Sequence, residues 1–145
     1  MGALIEPKDL PLTAYEGMNA VHLRELGILN RLYSALGGEA DDSEVEKLFR
    51  EFIEDVENHF SYEEELMKLT YFFAFDCHHG EHNRVRQELK EVFNRWLKTK
   101  DRKAALNYFE STFKPWIVEH INTMDTVTAQ WVAKSLFNIG GALPG

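Results

Sequence analysis

The feature that most constrains this fold is a pair of short motifs in which metal-binding residue types recur four positions apart. Glu63 follows His59 by four residues, and His82 follows His78 by four residues. On an α-helix, residues four apart lie on one face, separated by roughly 6 Å along the axis. Each motif can therefore present two donor groups to one point only if its segment is helical. The motifs predict two helices that face a common centre.

The hydrophobic pattern extends this expectation to four helices. Apolar residues recur three or four positions apart from about Thr13 onward, and no segment shows the alternation typical of a β-strand. Gly37-Gly38 is expected to end the first helix, and residues 99–101 to form the turn before the fourth. Short connections make successive helices antiparallel. The predicted fold class is all-α, an up-down-up-down antiparallel four-helix bundle with an irregular N-terminal arm.

Local signals predict where individual helices begin or are distorted. Ser43 with Glu46 has the spacing of a capping box that would open the second helix, and Asp76 is a candidate N-cap for the third. Pro115 lies inside the fourth helical pattern. Because proline lacks an N–H and clashes with the preceding turn, we expect a kink or a break near Lys114.

Length and charge narrow the class of protein. The 145 residues are predicted to form one domain, with the arm at 1–12, the bundle at 13–137 and a frayed tail at 138–145. The net charge of −8 argues against binding to nucleic acid or to anionic membranes. The lone Cys77, together with the lack of a secretory signal or a membrane-length apolar run, predicts a soluble cytoplasmic protein.

The first and fourth helices add further donor groups. His22 and His120 fall on the apolar stripes of these helices, so each helix sends at least one imidazole inward. Asp125 follows His120 by five residues, which is about 140° around an ideal helix. The two side chains can face the same centre only if the backbone widens there. We therefore predict a π-type turn between them, as is frequent at functional sites.

Together these positions form a candidate site for two metal ions. Seven ligands exceed the needs of one cation, and the two carboxylates can bridge two cations while the imidazoles occupy terminal positions. Five histidines divide unequally, so one metal receives three and the other receives two plus an open position. Imidazole suits iron, copper, zinc or nickel. The candidate metal ligands are His22, His59, Glu63, His78, His82, His120 and Asp125.

The motifs resemble those of the hemerythrin family in its stand-alone bacterial form, across most of residues 15–125. The matching pieces are His22 with Leu26 and Asn30 downstream, His59-Phe60-x-x-Glu63-Glu64-x-Leu66-Met67, His78-x-x-x-His82, and Trp116-x-x-x-His120-Ile121-x-x-x-Asp125. The resemblance implies a non-haem centre of two iron ions with a bridging oxo or hydroxo group. It implies reversible binding of dioxygen for storage, transport or scavenging, rather than enzymatic turnover.

The same resemblance distributes the ligands between the irons. The first iron would be held by His78, His82 and His120, and the second, with its open position, by His22 and His59. The bridging carboxylates would be those of Glu63 and Asp125. Two nearby positions depart from the family's usual pattern, since Asn19 stands where many relatives have Asp and Thr128 where many have Tyr. Neither would be a ligand, so these departures concern the residues that support the ligands.

Two other functions remain open at this stage. A sensor of oxygen or redox state could use the same site and report to an unidentified protein partner, through the acidic second helix or the aromatic segment 71–75. A di-iron peroxidase or a nitric oxide-handling enzyme is the other alternative. Against oxygen activation, the chain lacks the Glu-x-x-His motif of ferritin-like di-iron proteins. We expect Leu26, Phe60 and Trp116 to form an apolar wall that protects bound oxygen.

Overall fold

Four helical rods, built from six α-helices, form the structure. The computed structural model describes residues 2–142, with side chains through residue 137. Two π-helical turns, Phe109–Phe113 and Ile121–Asp125, join the last three helices into one continuous rod. The helices are α1 (Glu16–Gly37), α2 (Asp42–Leu69), α3 (Phe75–Thr99), α4 (Arg102–Tyr108), α5 (Lys114–His120) and α6 (Thr126–Ala142).

Short connections between the rods make neighbours antiparallel, so the predicted all-α four-helix bundle is confirmed. No strand occurs within residues 2–142. The half of the bundle nearest the turn between α3 and α4 is filled by aromatic rings, among them Phe49, Phe52, Trp96 and Phe109, all at most 1% exposed. The other half contains the histidines. In the part of the chain that the structure describes, no helix is long and apolar enough to cross a membrane.

Both predicted N-caps are wrong by two residues, since Asp41 caps α2 and Ala74 precedes α3. The side chain of Asp41, not Ser43, accepts a hydrogen bond from the backbone N–H of Glu44 at 2.9 Å, and α2 begins at Asp42. Several consecutive residues here can cap a helix, and the first of them does so. Helix α3 begins at Phe75, so Asp76 lies inside its first turn. A carboxylate is favourable there because the helix N-terminus carries partial positive charge.

The fourth rod contains two π turns, one just before Pro115 and one between His120 and Asp125. Before Pro115, residues Phe109–Phe113 form a π turn rather than the predicted kink or break. The widened turn accommodates the proline ring, which would clash with the carbonyl four residues earlier in an α-helix. The predicted π turn between the last two candidate ligands is confirmed at Ile121–Asp125.

The two ends of the bundle differ from their predicted bounds. Helix α1 starts at Glu16 rather than Thr13, because Thr13 is hydrogen-bonded through its backbone and side chain to the Asn19 carboxamide. At the other end, α6 continues through Gly140-Gly141 to Ala142, since glycine weakens a helix without forbidding it. The rest of the predicted tail, 143–145, lies outside the described residues.

The irregular N-terminal arm packs on the bundle. It contains a single 3₁₀ turn, Pro7–Asp9. The side chains of Leu4, Ile5 and Leu10 are buried against the core of the helices. The arm is therefore part of the folded unit.

Candidate metal centre

All seven predicted ligands are buried and meet in one cluster. Their exposed fractions range from 0% for Glu63 to 4% for His120. The i,i+4 pairs on α2 and α3 supply four of the side chains, α1 and α5 supply one each, and the π turn after α5 supplies the last. Without the π turn, Asp125 would point away from the histidine that precedes it by five residues.

The carboxylate of Glu63 faces two sets of imidazoles with its two oxygens. Its Oε2 lies 3.0 Å from Nε2 of His22 and 2.7 Å from Nε2 of His59. Its Oε1 lies 3.2 Å from Nε2 of His82 and 3.6 Å from Nε2 of His78. One side chain therefore lies between two groups of nitrogen donors.

The carboxylate of Asp125 divides in the same way. Its Oδ2 lies 3.1 Å from Nε2 of His22, whereas its Oδ1 lies 3.1 Å from Nε2 of His78 and 3.2 Å from Nε2 of His120. The cluster thus has a two-histidine position and a three-histidine position that share both carboxylates. Donor atoms of each group lie within 4.8 Å of one another; the groups are His22, His59, Glu63, Asp125 and Glu63, His78, His82, His120, Asp125.

The donor atoms fit a metal better than they fit each other. Among the described residues, several buried atoms of the cluster have no hydrogen-bond partner: Nε2 of His78, His82 and His120, Oε1 of Glu63 and both carboxylate oxygens of Asp125. Each unsatisfied buried polar atom costs about 1–3 kcal/mol. Coordinated cations would satisfy all of them at once, and mixed imidazole and carboxylate donors suit first-row transition metals. The cluster can therefore hold metal ions.

Electrostatics at the two-histidine position favour positive charge. Burial lowers the pKa of His22, but the nearby carboxylates of Asp125 and Glu63 outweigh it and raise the pKa to about 9. Burial also lowers the pKa of His59, while the charges of Glu63 and Glu25 raise it well above its usual value. In the metal-free protein, protons on these two imidazoles balance the carboxylates that a cation would otherwise neutralise.

The three-histidine position and the carboxylates respond differently. Burial dominates at His82 and lowers its pKa, despite the opposing effect of Glu63. Burial would raise the pKa of Glu63, but the charge of His59 and hydrogen bonds from His22 and His59 hold it well below its usual range. Burial and the neighbouring Glu63 would likewise raise the pKa of Asp125, yet the close imidazoles of His120, His22 and His78 lower it. Both carboxylates are thus ionised and ready to coordinate.

Acidic side chains accept hydrogen bonds from two of the imidazoles and thereby fix which ring nitrogen of each imidazole faces the cluster. The Nδ1–H of His59 donates to Oε2 of Glu25 at 2.5 Å, and the Nδ1–H of His82 donates to Oε2 of Glu64 at 2.9 Å. Because Nδ1 carries the hydrogen, Nε2 is the atom left to face a metal. Arg86 in turn holds both oxygens of Glu64, at 2.8 and 2.9 Å.

The two departures from the family pattern have separate roles. The hydroxyl of the buried Thr128 lies 2.7 Å from Nδ1 of His78 and shares a hydrogen bond with it. A threonine therefore supports this imidazole. Asn19 makes its hydrogen bonds to Thr13 and Glu16, so it fastens the start of α1 rather than orienting a cluster histidine.

The predicted apolar wall divides between the two positions. The ring of Phe60 stacks on His82 with centroids 3.9 Å apart, and Trp116 stacks on His120 at 4.6 Å. Both aromatic residues thus pack against the three-histidine position. Leu26 instead lines a cavity of about 10 Å³ beside His22. That cavity has room for about one water-sized molecule.

Comparison with known proteins identifies the family. The model described as the hemerythrin HHE cation binding domain matches residues 13–132. The chain belongs to the hemerythrin family. It is similar to the bacteriohemerythrin of Aquifex aeolicus (strain VF5), with 35% identity over 127 residues that cover 88% of this chain and 96% of that protein. No solved structure matches the chain significantly.

The hemerythrin resemblance predicted from the motifs is therefore confirmed, and the structure brings all seven residues together in the predicted two groups. Sequence reasoning missed Glu25, Glu64 and Arg86. Glu25 follows His22 by three residues, so an acid at ligand-like spacing on an apolar stripe was a usable signal. Glu64 stands in the motif that carries the family resemblance, but its pairing with Arg86 had no signal, because that contact joins positions 22 residues apart on different helices.

Proposed function

We propose that the seven clustered residues bind two iron ions and that the protein reversibly binds dioxygen at the two-histidine position. The observation that carries the proposal is the division of Glu63 and Asp125, each of which turns one oxygen toward each group of imidazoles. This arrangement supports two metals bridged by carboxylates, the pattern that the family resemblance implies. Storage, transport or scavenging of oxygen follows from such binding.

The unequal number of imidazoles supports one open coordination position. Three imidazoles and two carboxylate oxygens surround one position, whereas two imidazoles and two carboxylate oxygens surround the other. The second position therefore has one protein donor fewer. The small cavity lies on this side, beside His22. Ligand binding is proposed there for both reasons.

The protein environment favours binding over further reaction. Two ferrous ions held by the seven residues would supply the electrons that dioxygen binding requires. Five imidazoles are neutral donors when they coordinate and only two donors are anionic, which gives little support to high-valent iron. The cavity walls include Leu26, Leu29, Ile117 and Ile121. These aliphatic side chains, beside which Glu25 also lines the cavity, limit the access of water and of the protons that would release a reduced oxygen species.

Iron content and visible spectra test the proposal. The purified protein is loaded with ferrous iron, its iron is counted per chain, and spectra are recorded under nitrogen, after air and after oxygen is removed. We expect two irons per chain and a charge-transfer band that appears with oxygen and disappears on its removal.

Three outcomes contradict the proposal. One is zero or one iron per chain; another is a strong preference for zinc under competition. The third is an irreversible spectral change with sustained turnover of hydrogen peroxide, which would instead support the enzyme alternative.

A further inference from the structure

The cavity beside His22 is not closed by helices alone. It lies between α1, which contributes Leu26 and Leu29, and the fourth rod, which contributes Ile117 and Ile121. Its remaining apolar lining comes from two residues of the arm, Ile5 and Leu10, which are 2% and 8% exposed.

Hydrogen bonds from α1 hold the arm against this opening. The carboxamide oxygen of Asn30 accepts from the backbone N–H groups of Leu4 and Ile5, at 2.9 and 3.3 Å, and its nitrogen donates to the carbonyl of Ile5 at 3.0 Å. At the other end, Thr13 is tied to Asn19. The two cavity-lining residues of the arm lie between these attachments.

We infer that residues 4–10 are the gate of the dioxygen pocket, and that Ile5 and Leu10 determine which small molecules reach the two-histidine position. This inference rests on the proposed function. A cavity of about 10 Å³ leaves room for no more than about one water-sized molecule while the arm is in place. Anything larger enters only when the arm moves away.

The backbone of the arm has fewer hydrogen bonds than the helices, although the side chains of Leu4, Ile5 and Leu10 are buried. Apart from its 3₁₀ turn, its backbone is held by the side chains of Asn30 and Asn19, whereas the helices carry continuous backbone hydrogen bonds. Segments with few hydrogen bonds open at lower free energy than the whole fold. The arm can therefore open while the imidazoles and carboxylates keep their geometry.

Truncation of the two lining residues tests the gate. Ile5→Ala and Leu10→Ala are compared with Leu12→Ala, a matched control on the same arm whose side chain is 77% exposed. In the ferric protein, we expect azide and the longer anion thiocyanate each to bind about tenfold faster in both lining variants. In the oxygenated protein, we expect oxidation to the ferric state to be about tenfold faster. The control should remain within about twofold.

A second measurement does not depend on oxygen binding. Xenon occupies apolar cavities that are large enough for it. We expect crystals of Ile5→Ala pressurised with xenon to show the gas beside His22, and those of Leu12→Ala to show none there. Xenon at this place would support the wall assignment even if the protein bound no iron, so failure of the proposed function is distinguishable from failure of the gate.

Several results would overturn the gate. One is normal iron content in both lining variants with azide, thiocyanate and oxidation rates within twofold of the unmodified protein. Another is an equal increase in the Leu12→Ala control. Should the alanine variants fold poorly, Ile5→Val removes a single methyl group, and a two- to threefold increase in azide rate is expected. An unchanged rate in Ile5→Val, with the alanine variants unfolded, would also reject the proposal.

Discussion

The two-histidine and three-histidine positions differ in what surrounds their imidazoles. At the three-histidine position, Phe60 stacks on His82 and Trp116 stacks on His120. At the two-histidine position, His22 borders a small cavity with aliphatic walls, partly supplied by the arm. Flat rings in stacked contact resist displacement, whereas aliphatic side chains around a cavity leave room for a ligand. Stacked rings therefore cover His82 and His120, whereas His22 borders a small cavity.

The two positions also differ in the charge balance of the carboxylates that accept hydrogen bonds from their imidazoles. His82 donates to Glu64, whose charge is balanced by Arg86. His59 donates to Glu25, which has no cationic side chain of its own among the described residues, since the neighbouring Arg24 pairs with Asp55 at 2.9 Å. The same ligand types therefore have different charged surroundings at the two positions, and such surroundings tune how strongly an imidazole donates to a metal.

The largest expected effect comes from changing Glu63, whose carboxylate both positions share. Glu63→Gln replaces one of the carboxylate oxygens that face both groups with an amide nitrogen, which is not a comparable metal ligand. We expect iron to fall from two per chain to less than about half an ion. Glu65→Gln, on an exposed side chain of the same helix, is the control. Two irons retained in Glu63→Gln would show that this residue is not a bridge.

Removing a ligand from the two-histidine position should abolish metal binding there and leave the three-histidine position occupied. His22→Ala leaves a single imidazole at the two-histidine position, so we expect about one iron per chain and no oxygen-dependent band. His79→Ala removes a histidine outside the cluster and should retain both. Iron analysis and visible spectra measure the result. An unchanged oxygen spectrum in His22→Ala would refute the assignment of the open position.

The pH dependence of metal binding should also distinguish the positions. The pKa of His22 is raised to about 9, and that of His59 is well above its usual value, so both are protonated in the metal-free protein at pH 7. Metal binding must release these protons, and affinity should rise about tenfold per pH unit for each proton until pH passes about 9 for His22. His82, whose pKa is lowered, should release none.

Titration calorimetry in two buffers of different ionisation enthalpy counts the protons. The same raised pKa gives the metal-free fold a stabilisation that is complete below pH 6.5 and is lost as pH rises through about 9. The absence of proton release at pH 7 would contradict the charge difference between the positions.

A smaller effect should follow when Arg86 no longer restrains Glu64. In Arg86→Met, the carboxylate behind His82 loses its bidentate partner, and we expect affinity at the three-histidine position to fall about tenfold. Arg84→Met is a matched control on the same helix, because Arg84 pairs with Glu81 and Glu88 rather than with a residue behind the cluster. Competition with a chelator gives the affinity; equal losses in both variants would count against a specific role for Arg86.

The smallest effect is expected at Thr128. Thr128→Val keeps the shape of the side chain but leaves Nδ1 of His78 without its hydrogen bond. The loss of one such bond costs about 1 kcal/mol, or about fivefold in affinity at the three-histidine position. Thr123→Val, on the exposed side of the π turn, is the control. If Thr128→Val binds metal as tightly as the unmodified protein, this hydroxyl does not support the ligand.

The local part of this structure was predictable from the sequence. Spacings of four residues placed His59 with Glu63 and His78 with His82, because an α-helix repeats its facing direction almost every turn. The five-residue step from His120 to Asp125 predicted the π turn for the same geometric reason. The exact helix starts were not predictable, since neighbouring residues such as Asp41 and Ser43 have similar capping ability and small differences decide between them.

The sequence by itself determined the four-helix fold and the inward faces of the seven clustered side chains, which follow from periodicity along one chain, and its motifs resemble those of the hemerythrin family. Only the tertiary structure decided which oxygen of Glu63 faces which imidazoles, that Arg86 stands behind Glu64, and that Ile5 and Leu10 close the cavity beside His22. These features depend on the distances between separate helices and the arm. No spacing within a segment encodes such distances, because they result from how all the side chains pack together.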